Sequence, residues 1–411
     1  VRRVVTLPFD RQMQDTPWQE LLALLRREYH AAGFVCGDDF RFGRQGRGNG
    51  ALLADYCREQ GLPWAVVPEQ TLGGVRVSST HIRALLEESR AAVAAALGTE
   101  PACITFTSGG TESINTAIRC GARKNRHLGR QLVSTQIEHD ATLNTLKDLR
   151  QQDWEVTLVP PERDGRVTLP VLQAALRPDT ALVSVMGVCN ETGAILPIRA
   201  LKEAMGAVCP RALLHVDGVQ AFCKIPLPLD CIDLLSLSAH KIGGLKGSGA
   251  LYIRRGLTLP PLLFGGGQEN GLRSGTEAMP QIAAFAAAAQ QRSAHFAEDT
   301  AHMASLRQRL LQGARLLGCA VNTPEDGAPH VVNLSPCKGR SEVYIRILSD
   351  RGIDVSGGSA CARGKKSHVL TAMRLPGSNV DAALRVSFCP ETPEAAVDAF
   401  LDALREAEKL F

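Results

Sequence analysis

Seven short apolar runs, spaced along residues 103–253 and separated by helical stretches, leave this chain very few architectures. They read CITFT, QLVST, EVTLV, ALVSVM, ALLHV, DLLSLS and ALYI, with segments such as TLNTLKDLRQQ and IRALKEAMGAV between them. Runs that are apolar throughout, rather than alternating, suit strands covered on both faces. Strands that alternate with helices pair in parallel through crossovers. The predicted fold class is α/β, with one large, mostly parallel seven-stranded sheet and helices on both faces. Polar and glycine-rich residues follow the strands closely, and the carboxyl edge of such a sheet is where ligands bind.

The rest of the chain reads differently. An alanine-rich helical stretch, PQIAAFAAAAQQRSAHFAEDTAHMASLRQRLLQGARLLG, leads into a smaller carboxy-terminal α+β unit with the strand candidates HVVNLS and ALRVSF. At the front, PWQELLALLRREYHAAG and ALLADYCREQG read as helices, and FVCG and PWAVVPEQ as strands. Two strands are too few for a full α/β domain. The predicted division is residues 1–86, 87–290 and 291–411.

Composition narrows the class of function. Hydrophobic residues make up 45% and charged residues 21% of the 411, ordinary for a soluble globular protein. The net charge of +4 has no long basic run behind it, only Arg41, Arg44 and Arg47 close together, so no direct nucleic-acid partner is expected. No run approaches the ~20 apolar residues that span a bilayer, and VRRVVTLPFDRQ lacks the apolar core of a secretory signal. The twelve cysteines show no CxxC pair. They suit a reducing cytoplasm, most of them as small buried hydrophobes.

Several polar residues stand where strands end. Lys241 follows DLLSLSAH and opens a glycine-rich loop, IGGLKGSG, which suits a Schiff-base amine with backbone closing around a phosphate. Asp217, ending LLHVD, is placed to pair with a pyridinium nitrogen. In TFTSGGTES a strand gives way to a helix at Ser108, Gly109, Gly110 and Thr111, an arrangement that receives a dianion. His139 can stack on a ring, and Asn190 and Gln220 can hydrogen-bond a phenolic oxygen. Cys361 lies on a glycine-flanked loop, SGGSACARG. Taken singly, each has a plainer reading as a helix cap, a turn residue or a structural hydrogen bond. Together, an amine, an acid and a thiol in this order suggest pyridoxal phosphate chemistry on a sulfur-containing amino acid.

The strings TSGGTES, EHDATL, NETG, HVDGVQA, SAHKIGGLKG, GGGQENGLRSGTEAMP, SGGSAC and LRVSF occur in that order. On these, residues from about 87 to the end resemble a cysteine desulfurase of the class V aminotransferase family, with the type I fold of pyridoxal 5′-phosphate enzymes. The resemblance implies that Lys241 binds the cofactor, Asp217 keeps its ring nitrogen protonated and His139 stacks on the ring. It implies that Asn190 and Gln220 contact the phenolic oxygen, and that Gly110, Thr111, Ser238 and His240 hold the phosphate. Arg385 would clamp the carboxylate of L-cysteine. Cys361 would take the sulfur as a persulfide and pass it to an acceptor protein, a scaffold for iron–sulfur clusters or a tRNA-thiolation enzyme. Thr276 would reach the phosphate of a partner subunit, which implies a homodimer. One departure is Asn270, where the family usually carries arginine.

The front of the chain carries TLPFDRQ, FVCGDDFRFGRQGRGNG and VRVSSTHIR. It resembles the middle of a bacterial FAD synthetase, the FMN adenylyltransferase part of the bifunctional riboflavin kinase, and so a partial Rossmann-like nucleotidyltransferase segment. There Ser78, Ser79, Thr80 and Arg83 match an ATP-phosphate segment, and Asp39, Phe40 and Asn49 a flavin-side loop. The opening motifs of that family and of the desulfurases are not found, so FMN and ATP are expected not to be used at this segment. The alternatives to a working desulfurase are an FMN adenylyltransferase-related protein and a catalytically impaired fusion.

Overall fold

The computed structural model describes residues 10–69, 71–72, 74–76, 78–357 and 366–410. The chain divides into two compact units, Val1–Ala84 and Leu85–Phe411. The division falls inside the helix Ser79–Leu97.

In the first unit, β1 (Phe34–Gly37) and β2 (Trp64–Val67) pair in parallel, with Phe34 opposite Trp64. The helix Gly50–Glu59 connects them, and the Asn49 side chain caps it by accepting from Leu52 N at 3.0 Å. Strands β3 (Thr71–Leu72) and β4 (Val75–Arg76) form a short antiparallel ladder. The core is small: Leu22, Phe42, Leu53 and Cys57 are buried, and Trp18 meets Phe42 and Tyr56 edge-on.

The second unit is built on a seven-stranded sheet. Its strands are β5 (Ile104–Thr107), β6 (Gln131–Thr135), β7 (Glu155–Val159), β8 (Thr180–Met186), β9 (Leu213–Asp217), β10 (Leu234–Ser238) and β11 (Gly249–Ile253). The spatial order is β5-β11-β10-β9-β8-β6-β7. The pairs β10–β9, β9–β8, β8–β6 and β6–β7 are parallel, whereas β11 runs antiparallel to both of its neighbours. Every residue of β6, β8, β9 and β10 is buried, the result of cover on both faces that their apolar composition anticipates. The helix Gly110–Asn125 lies so close to the sheet that a Cβ on Gly121 would stand 2.6 Å from Leu182 Cδ1.

A buried imidazole crosses the centre of this sheet. His215, in β9, contacts the Ser184 hydroxyl of β8 through Nδ1 and the Ser236 hydroxyl of β10 through Nε2, both at 2.8 Å. All three residues are fully buried. Burial drives the imidazole pKa down to about 3, so the ring is neutral and bridges the two hydroxyls.

A second, three-stranded antiparallel sheet follows in the order β12 (Ala320–Val321), β13 (Val331–Ser335) and β14 (Leu384–Ser387). The helices Phe296–Leu316, Ser341–Ser349 and Glu394–Glu408 supply its core partners, among them Leu306, Tyr344 and Phe400. None of the described helices is long and apolar enough to cross a membrane.

A buried ion pair ties the helix Ser79–Leu97 to the loop before helix Met279–Ala294. The Arg90 guanidinium meets both Glu269 carboxylate oxygens at 2.8 and 2.9 Å and also donates to Ile104 O. Glu269 accepts from Phe106 N as well, and Arg90 stacks 5.0 Å over the Phe106 ring. Glu269 and Asn270 both hold left-handed backbone, at φ 50° and 55°. Asparagine tolerates that region better than most side chains, which gives Asn270 a backbone reason to stand there. Breaking one side of a buried pair leaves the other charge uncompensated. Glu269→Gln should therefore destabilise the chain by about 3–5 kcal/mol in denaturant unfolding, and replacing both partners by Met and Leu should recover most of that loss. Equal stability of the single variant and the wild type would show the pair to be dispensable.

Candidate active site

The parallel strands end together, and the residues after them line one cavity of about 250 Å³. Its wall is formed by Gly110, Thr111, His139, Asn190, Asp217, Gln220, Ser238, His240, Lys241 and Arg385, with the apolar Ile114, Met186, Val188 and Val219. All of the proposed site residues from Gly110 to Arg385 are thus brought together, with two exceptions. Thr276 is exposed and is not part of this wall. Cys361 lies outside the described residues.

Each side chain has a structural reason for its place. β5 ends at Thr107, and the helix Gly110–Asn125 begins after Gly109, whose φ of 150° is a backbone conformation that residues with a side chain rarely adopt. The first N–H groups of such a helix lack intrahelical partners and point at the cavity end. The backbone here is packed to contact: a Cβ on Gly110 would stand 2.7 Å from Val219 Cγ2, and one on Gly249 would stand 2.7 Å from Gly109 Cα. Glu112, in the first turn, is held by Arg273 at 2.8 Å and by Ser108 N. Burial opposes its ionisation, but these bonds outweigh it and keep its pKa low.

Lys241 sits in the reversal between antiparallel β10 and β11, in a short turn Ala239–Lys241 closed by Gly244 N to Ala239 O at 3.0 Å. Gly243 and Gly247 take the left-handed conformations that reversal needs, φ 97° and 90°. Ser238, at the end of β10, meets His240 Nδ1 at 2.9 Å. Burial, then the charges of Lys241, Lys246 and Lys224, lower the His240 pKa. His139 caps the helix Asp140–Arg150: its Nδ1 accepts from Ala141 N at 3.1 Å, which fixes the ring's orientation. Arg385, in β14, donates to Asn190 O at 3.2 Å and joins the second sheet to the cavity rim.

Asp217 is 6% exposed at the end of β9, with Val219 N bonded to Oδ1 at 3.0 Å. Burial raises its pKa, against the Val219 bond and the charges of His139 and Lys241. A buried carboxylate in this position is incompletely compensated and suits a cationic ring nitrogen. With the glycine-lined helix start and the amine of Lys241 lining the same cavity, the donor set fits pyridoxal 5′-phosphate: a dianion receiver, an acid and an amine around one space.

Other residues here carry no obvious sequence signal. Glu138, next to His139, is fully buried; Oε1 accepts from Thr135 Oγ1 at 2.7 Å and Met186 N at 3.0 Å. Its strand-end position beside a histidine was the available hint. In the first unit, the residues matched to a flavin-side loop serve local structure: Asp39 pairs with Arg76, Phe40 stacks on Phe42 and Asn49 is a helix cap. Ser78 caps the turn at His81 N, at 3.2 Å. An apolar cavity of about 700 Å³ lies beside Phe34, Phe40 and Phe42.

Burial pushes the Glu138 pKa up to about 8, against the bonds from Thr135 and Met186 N and with help from the Asp217 charge. In the unfolded chain it ionises near its ordinary value of 4.5. Folding therefore takes up a proton between these values, and stability falls as pH rises across that window. Glu138→Gln should lose less Tm than wild type between about pH 5 and about pH 8. Parallel Tm–pH curves would show that Glu138 is ionised in the fold.

Comparisons with known proteins bear on the chain as a whole. The aminotransferase class-V family model matches residues 70–400 and the FAD synthetase model residues 1–81. "Cysteine desulfurase 2" of Trichormus variabilis is 40% identical over 328 residues, 78% of this chain and 81% of that protein. "Cysteine desulfurase IscS" of Methanosarcina thermophila is 38% identical over 324 residues, 77% and 80% respectively. Among solved structures, a NifS-like protein superposes with a TM-score of 0.76 at 36% identity, covering 81% of this chain and 89% of its own. The cysteine complex of SspA gives a TM-score of 0.66 at 31% identity, over 77% and 89%. With this fold, these motifs and these relatives, the chain belongs to the aminotransferase class-V family, as a cysteine desulfurase preceded by a partial FAD synthetase segment.

Proposed function

We propose that this cavity holds pyridoxal 5′-phosphate and L-cysteine and that Cys361 receives the sulfur. The observation that carries the reading is the convergence of Lys241, Asp217, His139 and Arg385 on one small cavity beside a glycine-lined helix start. When bound, the cofactor supplies an electron sink that stabilises negative charge at a substrate carbon. Thr111, Gly110, Ser238 and His240 hold the phosphate, and the Asp217 carboxylate keeps a proton on the ring nitrogen. His139 covers the ring face, and Asn190 and Gln220 orient the phenolic oxygen. Lys241 Nζ would hold the aldehyde end of the cofactor and carry protons to and from the substrate carbons. Arg385 fixes the substrate carboxylate.

Cys361 Sγ then attacks the substrate sulfur. The Sγ–sulfur bond forms as the substrate carbon–sulfur bond breaks, and that carbon takes a proton, leaving alanine and a persulfide on the enzyme. Both flanks of the segment carrying Cys361 are anchored near the cavity rim. Before it, Ser356 N donates to Arg385 O and Arg385 N to Ser356 O. After it, Ser367 Oγ donates to Glu191 at 2.5 Å, next to Asn190. The acceptor is a protein of iron–sulfur cluster assembly or tRNA thiolation. The eleven described cysteines are all free, which fits a reducing compartment.

We also propose a homodimer. Leu263 and Phe264 are 42% and 79% exposed on the loop that leads to Thr276, an apolar surface suited to a second copy. Thr276 would complete the partner's phosphate site.

The purified chain with pyridoxal 5′-phosphate should form alanine from L-cysteine. Lys241→Ala should abolish turnover, and Cys361→Ser should bind cofactor yet form no protein persulfide. Sulfide release by Cys361→Ser at the wild-type rate would remove Cys361 from the reaction. For the dimer, Lys241→Ala and Thr276→Glu chains should each be inactive alone. Mixed and re-equilibrated, they should regain up to about a quarter of wild-type activity, because half the dimers then hold one complete site. No recovery in a mixture that does exchange subunits would count against a shared site.

A further inference from the structure

Behind Gln220 lies a polar cluster with no part in the roles above. The Gln220 side chain reaches the cavity wall, yet its Oε1 is already engaged from behind by two groups. Lys224 Nζ stands at 3.2 Å, four residues along, and His330 Nε2 at 3.3 Å, just before β13. His330 is 3% exposed, and its Nδ1 has no hydrogen-bond partner. Burial, then the Lys224 charge, lowers the His330 pKa well below its ordinary value, so the ring is neutral with a single N–H. The tautomer that forms a bond has that proton on Nε2, donated to Gln220 Oε1. With Oε1 taken by two donors, the end of the amide left for the cavity is the Nε2 amino group, a donor.

We infer that Lys224 and His330 are positioning residues: they lock the Gln220 amide with its donor end toward the phenolic oxygen of the cofactor. The inference rests on the cofactor reading above. The two donors come from different parts of the unit, Lys224 from the chain after β9 and His330 from the strand edge of the second sheet. Gln220 is therefore set only when the two sheets are docked. The charged and titratable neighbours of Lys224 are Lys241, Arg292, Cys223, His240 and His330. Burial, then the charge of Lys241, pushes its amine down to about 7.

His330→Leu removes a donor without removing a charge, and so isolates positioning from electrostatics. In the full-length chain it should weaken pyridoxal 5′-phosphate binding, read by equilibrium dialysis, about threefold to tenfold. It should also raise the pH midpoint of the cofactor's visible absorption by about half a unit, because less donation to the phenolic oxygen favours a proton on the neighbouring Lys241 nitrogen. Lys224→Met should act in the same directions, and Lys224→Arg should restore both readouts. In a Gln220→Leu background, His330→Leu should change neither by more than about twofold or a tenth of a unit, the sign of action through one shared group. Should Lys224→Met not fold, the His330 pair of measurements still decides. Folded single variants with unchanged binding and midpoint, or a full effect persisting without Gln220, would overturn the inference. A wild-type chain that binds no pyridoxal 5′-phosphate would overturn the cofactor reading and this inference with it. Tight wild-type binding with indifferent variants would overturn the inference alone.

Discussion

The parallel pairing of β8, β9 and β10 is the constraint on which this molecule depends. Met186 stands opposite Asp217, and Asp217 opposite Ser236, in one continuous register. Parallel strands send all their carboxyl ends to the same side. Asp217 therefore projects from one strand end, while Ser238, His240 and Lys241 follow from the next and Asn190 from the turn after β8. Asn190, Asp217 and the Ser238–Lys241 stretch come from three separate parts of the chain. The apolar pattern of the strands, through hydrophobic burial on both faces, thus decides the geometry of the chemistry.

The one antiparallel member sharpens the site. Because β11 returns beside β10, the connection carrying Lys241 is a tight reversal rather than a helical crossover. β11 also separates β10 from β5, and a Cβ on Gly249 would collide with Gly109. The helix start at Gly110 and the lysine turn are therefore held against each other by backbone contact. Side-chain packing, which relaxes more readily, plays little part there.

Much of this was legible in the primary structure because the signals are local. Strand runs, glycine turns and the strand-end positions of Lys241, Asp217 and His139 depend on near neighbours in the chain. The strand order and the reversal of β11 depend on pairings between distant residues, and apolar runs of similar composition do not encode them one by one. Arg90 and Glu269 are 179 positions apart, so nothing beside either residue marks it as one of a pair. Lys224 was visible as a lysine four residues after Gln220, but its enclosure was not. His330 stands just before β13, in the second sheet, and has no local signature. In the first unit, Asn49 and Asp39 matched a ligand-side motif, and the structure gives each a capping or ion-pairing role that any fold would use.

The His215 bridge has a consequence for how the sheet finds its own alignment. Apolar strands of near-identical composition can slide against one another at little loss of burial, so the hydrophobic effect discriminates weakly among offsets. A buried imidazole changes that. In the native alignment both nitrogens meet serine hydroxyls, whereas any other offset strands an imidazole and two hydroxyls in a dry interior, at about 1–3 kcal/mol for each unmet group. The trio acts as a fiducial mark across three strands, rejecting misassembled sheets during folding. Fidelity of assembly is set where no ligand ever reaches, and the accuracy of the strand ends is inherited from it.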